Sequence, residues 1–131
     1  MSYTREELSK YRIDRSLESL EEAKILSVTG HWNTVANRLY YSCFYAASAY
    51  LIKNDFEAST HVGVKRLFNK ELIKSNALST SEGQLYNKLF NLRQDADYRD
   101  FADLSEDEIK PMILMVENLI HQIIQIINPH S

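Results

Sequence analysis

Three glycines and two prolines in 131 residues are the feature that most restricts the fold of this chain. Sheets made of many short strands need a turn every few residues, and those turns draw on glycine and proline. The chain has too few of either residue for a β-sandwich or a barrel. Apolar residues make up 44% of the chain and charged residues 25%, as in ordinary globular proteins, so the shortage of turn residues favours long helices over disorder.

The length of 131 residues corresponds to one domain, which we expect to span residues 1–131. No run of about 18 uninterrupted apolar residues is present, and the first residues lack the apolar stretch of a signal peptide. The single cysteine, Cys43, can form no internal disulfide. We therefore expect a cytoplasmic protein in a reducing compartment, without membrane contact.

Capping signals and apolar spacing predict five helical stretches. They cover about residues 5–28, 32–53, 61–73, 79–97 and 105–128. The second stretch is apolar around most of its circumference, which predicts a central position. Pro111 lies past the first turn of the fifth stretch, so we expect either a kink there or a helix that begins at Lys110. The predicted fold is an all-α, up-and-down four-helix bundle with one additional shorter helix.

The central stretch carries polar side chains that an apolar core does not need. Arg38, Tyr41 and Tyr45 lie among apolar residues such as Leu39 and Phe44. A guanidinium in a medium of low dielectric constant is strongly unfavourable unless it is paired. Arg38 must therefore reach solvent, a carboxylate or an anionic ligand. The alternative to a binding site is that Arg38 extends to solvent at the helix rim or forms a structural pair.

A second polar cluster, residues 91–101, ends the fourth stretch. Arg93 and Asp97 are four residues apart, as in a helical ion pair, and Tyr98 lies on the neighbouring row. Taken alone, this segment is typical of a solvated helix end, where an ion pair adds little stability. If the second helix faces it, the two segments together form a polar pocket or dimer groove for an anionic ligand. That candidate site consists of Arg38, Tyr41, Tyr45, Arg93, Asp97 and Tyr98.

Three segments, Arg38–Leu51, His61–Phe68 and Leu92–Tyr98, resemble the HEPN domain in order and spacing, and most of all its small stand-alone bacterial and archaeal branch. The resemblance extends from about Tyr11 to Ile127. It implies a helical bundle that is commonly a homodimer, is often encoded beside a small nucleotidyltransferase, and takes part in toxin-antitoxin or RNA-processing systems. The function expected from the resemblance and the candidate site is a binding or regulatory module for nucleotide or RNA phosphate.

The resemblance also implies an enzymatic alternative. HEPN ribonucleases act without metal through an arginine followed four to six residues later by a histidine. Arg93 matches that arginine, whereas Tyr98, Arg99 and Asp100 stand where the histidine would be. A phenol with a pKa of about 10 is a poor general base near neutral pH. This alternative is a ribonuclease with a degenerate motif, in which Tyr98 or His61 replaces the histidine; a second alternative is a purely structural dimerisation module.

Charge and composition limit the remaining possibilities. The formal net charge of -3 denies the chain a general attraction for polyphosphate, so any nucleic-acid contact must be local. No His, Asp or Glu pair has convincing metal-ligand spacing and no glycine-rich phosphate loop is present, so we expect neither a metal nor a cofactor. The last helix has isoleucine on more than one side, which favours a second copy of the chain covering the excess. These isoleucines are Ile123, Ile124, Ile126 and Ile127.

Overall fold

The structure, a computed structural model, describes the backbone of residues 2–98 and 103–130 and the side chains of residues 2–94 and 103–130. Within these ranges the chain forms α1 (Arg5–Val28), α2 (Trp32–Lys53), α3 (His61–Phe68), α4 (Thr80–Tyr98) and α5 (Glu106–Ile127). A π-helical turn, Asn69–Ile73, continues α3. The described part of the chain contains no strand. The prediction of an all-α fold with four long helices and a shorter one is confirmed.

Local capping explains where α1 and α4 begin. The Thr4 hydroxyl accepts a hydrogen bond from the Glu7 backbone N–H at 3.0 Å, and the Glu7 carboxylate accepts one from the Thr4 N–H at 3.4 Å. Ser79 and Glu82 repeat this reciprocal arrangement at 3.3 and 2.9 Å. Both capping boxes satisfy backbone donors that the first helical turn leaves without partners. The two predicted starts are therefore correct.

The start of α5 excludes one of the two alternatives raised by Pro111. Ser105 caps the helix, with its hydroxyl accepting from the Glu108 N–H at 3.3 Å, and the helix then runs through Pro111. The late start at Lys110 is wrong. A proline inside a helix removes one backbone hydrogen bond, and here the serine cap and the fully buried Ile109 hold the preceding turn in place.

Helix α2 is the centre of the bundle, as its apolar circumference predicts, and packs against α1, α3, α4 and α5. Buried serines fix its register against α1. The Ser9 hydroxyl donates to the Ala49 carbonyl at 2.9 Å, the Ser16 hydroxyl to the Ser42 carbonyl at 2.6 Å, and the Ser42 hydroxyl back to the Ser16 carbonyl at 2.8 Å. Because these contacts are spaced along the pair, they determine which residues of α1 lie opposite which residues of α2.

Helix α5 packs against α2 with a buried apolar face and also contacts α1. Ile123 and Ile127 are buried within the chain, and Ile124 and Ile126 are half-buried against the core. The excess of isoleucine that favoured a second copy is thus largely covered by the chain itself, and that argument for dimerisation loses its basis. Homodimerisation as such stays a prediction.

Candidate functional site

Tyr41 and Tyr45 lie one turn apart on the face of α2 that is only half-buried, and their ring centroids are 5.9 Å apart. Arginines from three helices surround these two rings. We call this surface the arginine–tyrosine strip. It consists of Arg12 and Arg15 of α1, Arg38, Tyr41 and Tyr45 of α2, and Arg93 of α4.

The Tyr41 ring joins α2 to α4. Two guanidinium carbons lie near its centroid, the Cζ of Arg38 at 5.2 Å and the Cζ of Arg93 at 5.6 Å. A cation–π contact at a partly exposed site is worth only about 0.5–1 kcal/mol and does not neutralise the cation. Two positive charges therefore share one ring. The structure brings Arg38, Tyr41, Tyr45 and Arg93 together at one surface.

Arg38 also has polar neighbours of its own. Its Nε and Nη2 donate to the Asn37 Oδ1 at 3.1 and 2.7 Å, and its Nη1 lies 3.5 Å from the Glu22 Oε1. The Arg38 and Glu22 side chains keep 25% and 43% of their exposure, so water screens this long ion pair. Glu22 belongs to α1, which explains why sequence spacing did not reveal it as a partner. The carboxylate lowers the local positive charge without removing it.

The α1 end of the strip is built around Tyr45. The Cζ atoms of Arg12 and Arg15 lie 5.7 and 5.3 Å from the Tyr45 centroid. The pKa of the Arg15 guanidinium is raised above its ordinary value, chiefly by the neighbouring Tyr45 hydroxyl. Arg15 also pairs with Glu18 at 3.0 Å. Sequence reasoning missed both α1 arginines, because they look like ordinary charges on an exposed helix.

His61 lies beside the strip rather than apart from it. Its Nδ1 is 2.7 Å from the Tyr40 hydroxyl, and its ring centroid is 4.7 Å from that of Phe44 and 5.8 Å from that of Tyr41. Arg93 contacts the same pair of tyrosines, with its Cζ 5.2 Å from the Tyr40 centroid. The fold therefore gives an imidazole and a guanidinium the same two aromatic neighbours, a proximity that the sequence could not show.

Tyr40 fixes the orientation of His61. The Tyr40 side chain is fully buried, and burial raises the pKa of its phenol while the charge of Arg93 opposes the rise. The phenol consequently stays protonated at neutral pH and remains a hydrogen-bonding partner for the Nδ1. Thr60 caps α3 by accepting from the Gly63 N–H at 2.9 Å, which places His61 at the first position of the helix.

Two of the predicted site residues lie at the edge of what the structure describes. The backbone of Asp97 and Tyr98 is helical as part of α4, and their side chains lie outside the described residues. Arg99 and Asp100 lie outside them altogether. The ion pair between Arg93 and Asp97 and the role of Tyr98 stay predictions.

One further potentially reactive side chain, a cysteine, lies in the core. Cys43 is fully buried, and burial raises the pKa of its thiol to about 12, so the thiol is protonated and unreactive at neutral pH. Among the side chains that the structure describes, no three His, Cys, Asp or Glu residues are grouped closely enough to hold a metal ion. None of the described helices is both long and apolar enough to cross a membrane.

The fold and the strip define an all-α bundle whose central helix presents tyrosines lined by arginines. The chain belongs to the HEPN domain family, whose model matches residues 9–127. It is 31% identical over 123 residues to a UPF0332 protein of Thermotoga maritima, covering 94% of this chain and 93% of the relative. Two proteins of Methanocaldococcus jannaschii named "Putative toxin" are 31% and 29% identical; the matches cover 77% and 85% of this chain and 69% and 82% of those proteins.

Proposed function

We propose that this HEPN module binds nucleotide or RNA phosphate at the arginine–tyrosine strip and acts by binding or regulation. The observation that carries the proposal is the position of two guanidinium groups, those of Arg38 and Arg93, over one Tyr41 ring. Guanidinium forks match phosphate oxygens, and tyrosine rings stack on bases. The strip offers both kinds of contact at one surface.

The charge distribution supports attraction of anions to the strip rather than to the whole surface of the protein. The chain as a whole carries a formal charge of -3. Four arginines nevertheless lie on the strip, and among the side chains that the structure describes, Glu18 pairs with Arg15 and Glu22 with Arg38. A polyanion would therefore be attracted locally at this surface rather than by the chain as a whole.

Binding is measured by fluorescence anisotropy of a labelled RNA oligonucleotide and of a labelled nucleotide. The double variant Arg38→Ala/Arg93→Ala should lose at least about tenfold in affinity, since each charge-assisted contact contributes more than 1 kcal/mol. Arg5→Ala is the matched control, because Arg5 is an exposed arginine outside the strip. Its Nη2 lies 2.9 Å from the Asp55 Oδ1 in an ion pair. Unchanged binding by a double variant with wild-type helicity and thermal stability would refute the proposed site.

The partners follow from the family and its named relatives. We propose that the module is a homodimer that works with a small nucleotidyltransferase in a toxin-antitoxin system. The relatives named as toxins support a role in a toxin-antitoxin system. The proposal of a nucleotidyltransferase partner is based on the family resemblance. Light scattering of the purified chain tests the dimer, and co-elution with a co-expressed nucleotidyltransferase tests the partner. A monomer at micromolar concentration that elutes alone would overturn both.

A second candidate function is metal-independent RNA cleavage. The observation that favours it is the neighbourhood of His61 and Arg93, which both contact Tyr40 and Tyr41. An imidazole can act as a general base, and a guanidinium can stabilise charge on a phosphorus centre. Incubating RNA with the protein in chelator decides the matter. Cleavage that is lost in both His61→Ala and Arg93→Ala would establish the enzyme, Tyr98→Phe would test the phenol, and intact RNA would leave the binding module.

The structural alternative makes a different prediction for the same variants. If Arg38 and its neighbours only hold helices together in a dimer, Arg38→Ala should change the light-scattering mass or the thermal stability. RNA would then bind neither to the variant nor to the wild type. The pair of Arg38 with Glu22 joins α1 and α2 within one chain, so it is not itself a contact between two copies.

A further inference from the structure

We infer that Tyr45 with Arg12 and Arg15 forms a second nucleotide subsite, so that the strip takes a single-stranded polynucleotide rather than an isolated nucleotide. The inference rests on the proposed function and extends it to α1. Both arginines place their Cζ atoms within 6 Å of the Tyr45 ring, at 5.7 and 5.3 Å. This arrangement resembles that at Tyr41, which also has two guanidinium groups beside its ring.

The order of the groups along the strip is what a chain of nucleotides requires. The two tyrosines lie in the middle, with ring centroids 5.9 Å apart. Arginines of α1 flank Tyr45, and arginines of α2 and α4 flank Tyr41. Successive aromatic rings beside cations are how proteins bind unpaired bases and the phosphates that join them.

The two rings favour single strands over a duplex. The Tyr41 and Tyr45 rings are tilted by 38° from one another and both side chains are half-buried, so neither ring is enclosed in the core. A base can stack on such a ring only when its own face is open, which base stacking in a duplex prevents.

The α1 arginines are held in register with Tyr45. The serine contacts on either side of them, Ser9 with Ala49 and Ser16 with Ser42, tie α1 to α2 through buried hydrogen bonds. Arg12 and Arg15 are themselves only half-buried. Because the helix backbone is fixed there, binding would require little reorganisation of this end of the strip.

The test compares ligands of different length by fluorescence anisotropy. The probes are a labelled mononucleotide, a labelled single-stranded RNA of about eight nucleotides, and a duplex of the same sequence. Wild-type protein should bind the single strand at least about tenfold more tightly than the mononucleotide or the duplex. Arg12→Ala/Arg15→Ala should lose that advantage while keeping mononucleotide affinity within about twofold, and its salt slope on the single strand should fall by about 1.4.

The controls separate this inference from the function on which it rests. Arg38→Ala/Arg93→Ala should weaken binding of every probe, and Arg5→Ala of none. Tyr45→Leu should bind the single strand at least about fivefold more weakly, which tests the subsite without removing a charge. Single-strand binding that is indifferent to the Arg12, Arg15 and Tyr45 changes would overturn the second subsite and leave the proposed function standing. A wild-type protein that binds no probe would overturn both.

Discussion

Glu22→Gln tests whether the carboxylates beside the strip weaken its affinity for anions. The Glu22 Oε1 lies 3.5 Å from the Arg38 Nη1. A phosphate held by Arg38 would therefore be about 7 Å from the carboxylate, where two like charges repel by about 0.6 kcal/mol in water. We use the aqueous value because the Glu22 side chain as a whole is 43% exposed, while its Oε1 atom is buried. Removing the charge should therefore increase affinity for RNA about threefold.

The assay is fluorescence anisotropy of labelled single-stranded RNA at about 0.1 M salt, and the gain should shrink as salt is raised. Asp55→Asn is the matched control. It removes the same charge from the exposed pair of Asp55 with Arg5, about 25 Å along α2 from Arg38. Asp55 has a positive φ of 63°, which asparagine tolerates. Equal affinity of Glu22→Gln and Asp55→Asn, or weaker binding by Glu22→Gln, would refute the reasoning.

Three further predictions concern stability, measured by urea denaturation. Ile120→Ala removes a fully buried side chain and should lower the free energy of unfolding by about 2–5 kcal/mol, and a loss below about 1 kcal/mol would contradict the core assignment. Ser42→Ala should lose about 1 kcal/mol, because the Ser42 hydroxyl donates to the Ser16 carbonyl; an unchanged midpoint would count against this. The ion pair with Lys24 lowers the pKa of Glu117. The stability that this pair gives the fold is therefore present above the ordinary carboxyl pKa and is lost as pH falls through the lowered pKa. Glu117→Gln should thus be less stable than wild type by under about 1 kcal/mol at pH 7 and equal to it in acid, whereas a gap that persists in acid would contradict the pairing.

The helix boundaries were predictable because their causes are local. Thr4 with Glu7 and Ser79 with Glu82 cap their helices through residues three positions apart, which a sequence displays directly. Pro111 left two alternatives open in the sequence for the opposite reason. Its effect on the start of α5 depends on how firmly the preceding turn is held, and this is decided by tertiary burial that the sequence does not show.

The site was predictable only in part. Arg38 stands out in sequence because it occurs among apolar and aromatic residues, and Arg93 because it lies four residues before Asp97 in a polar segment; the family resemblance includes both. Arg12 and Arg15 carry no such signal, since two basic residues on an amphipathic helix are ordinary. Their place opposite Tyr45 is set by the register of α1 against α2, which depends on buried serine contacts between residues far apart in the chain.

The carboxylates beside the strip bear on which anions it can select. Glu18 contacts Arg15 and Glu22 contacts Arg38, so a ligand must compete with an acidic group at each end. A single anion that displaces one carboxylate gains little binding free energy. Each exposed ion pair contributes less than about 1 kcal/mol, so exchanging one pair for another changes little. A polynucleotide that engages both ends makes its second contact within one molecule, at high effective concentration. Under the proposed function, the acidic residues would therefore discriminate against small anions, and Glu18→Gln/Glu22→Gln should narrow the difference in affinity between mononucleotide and single strand.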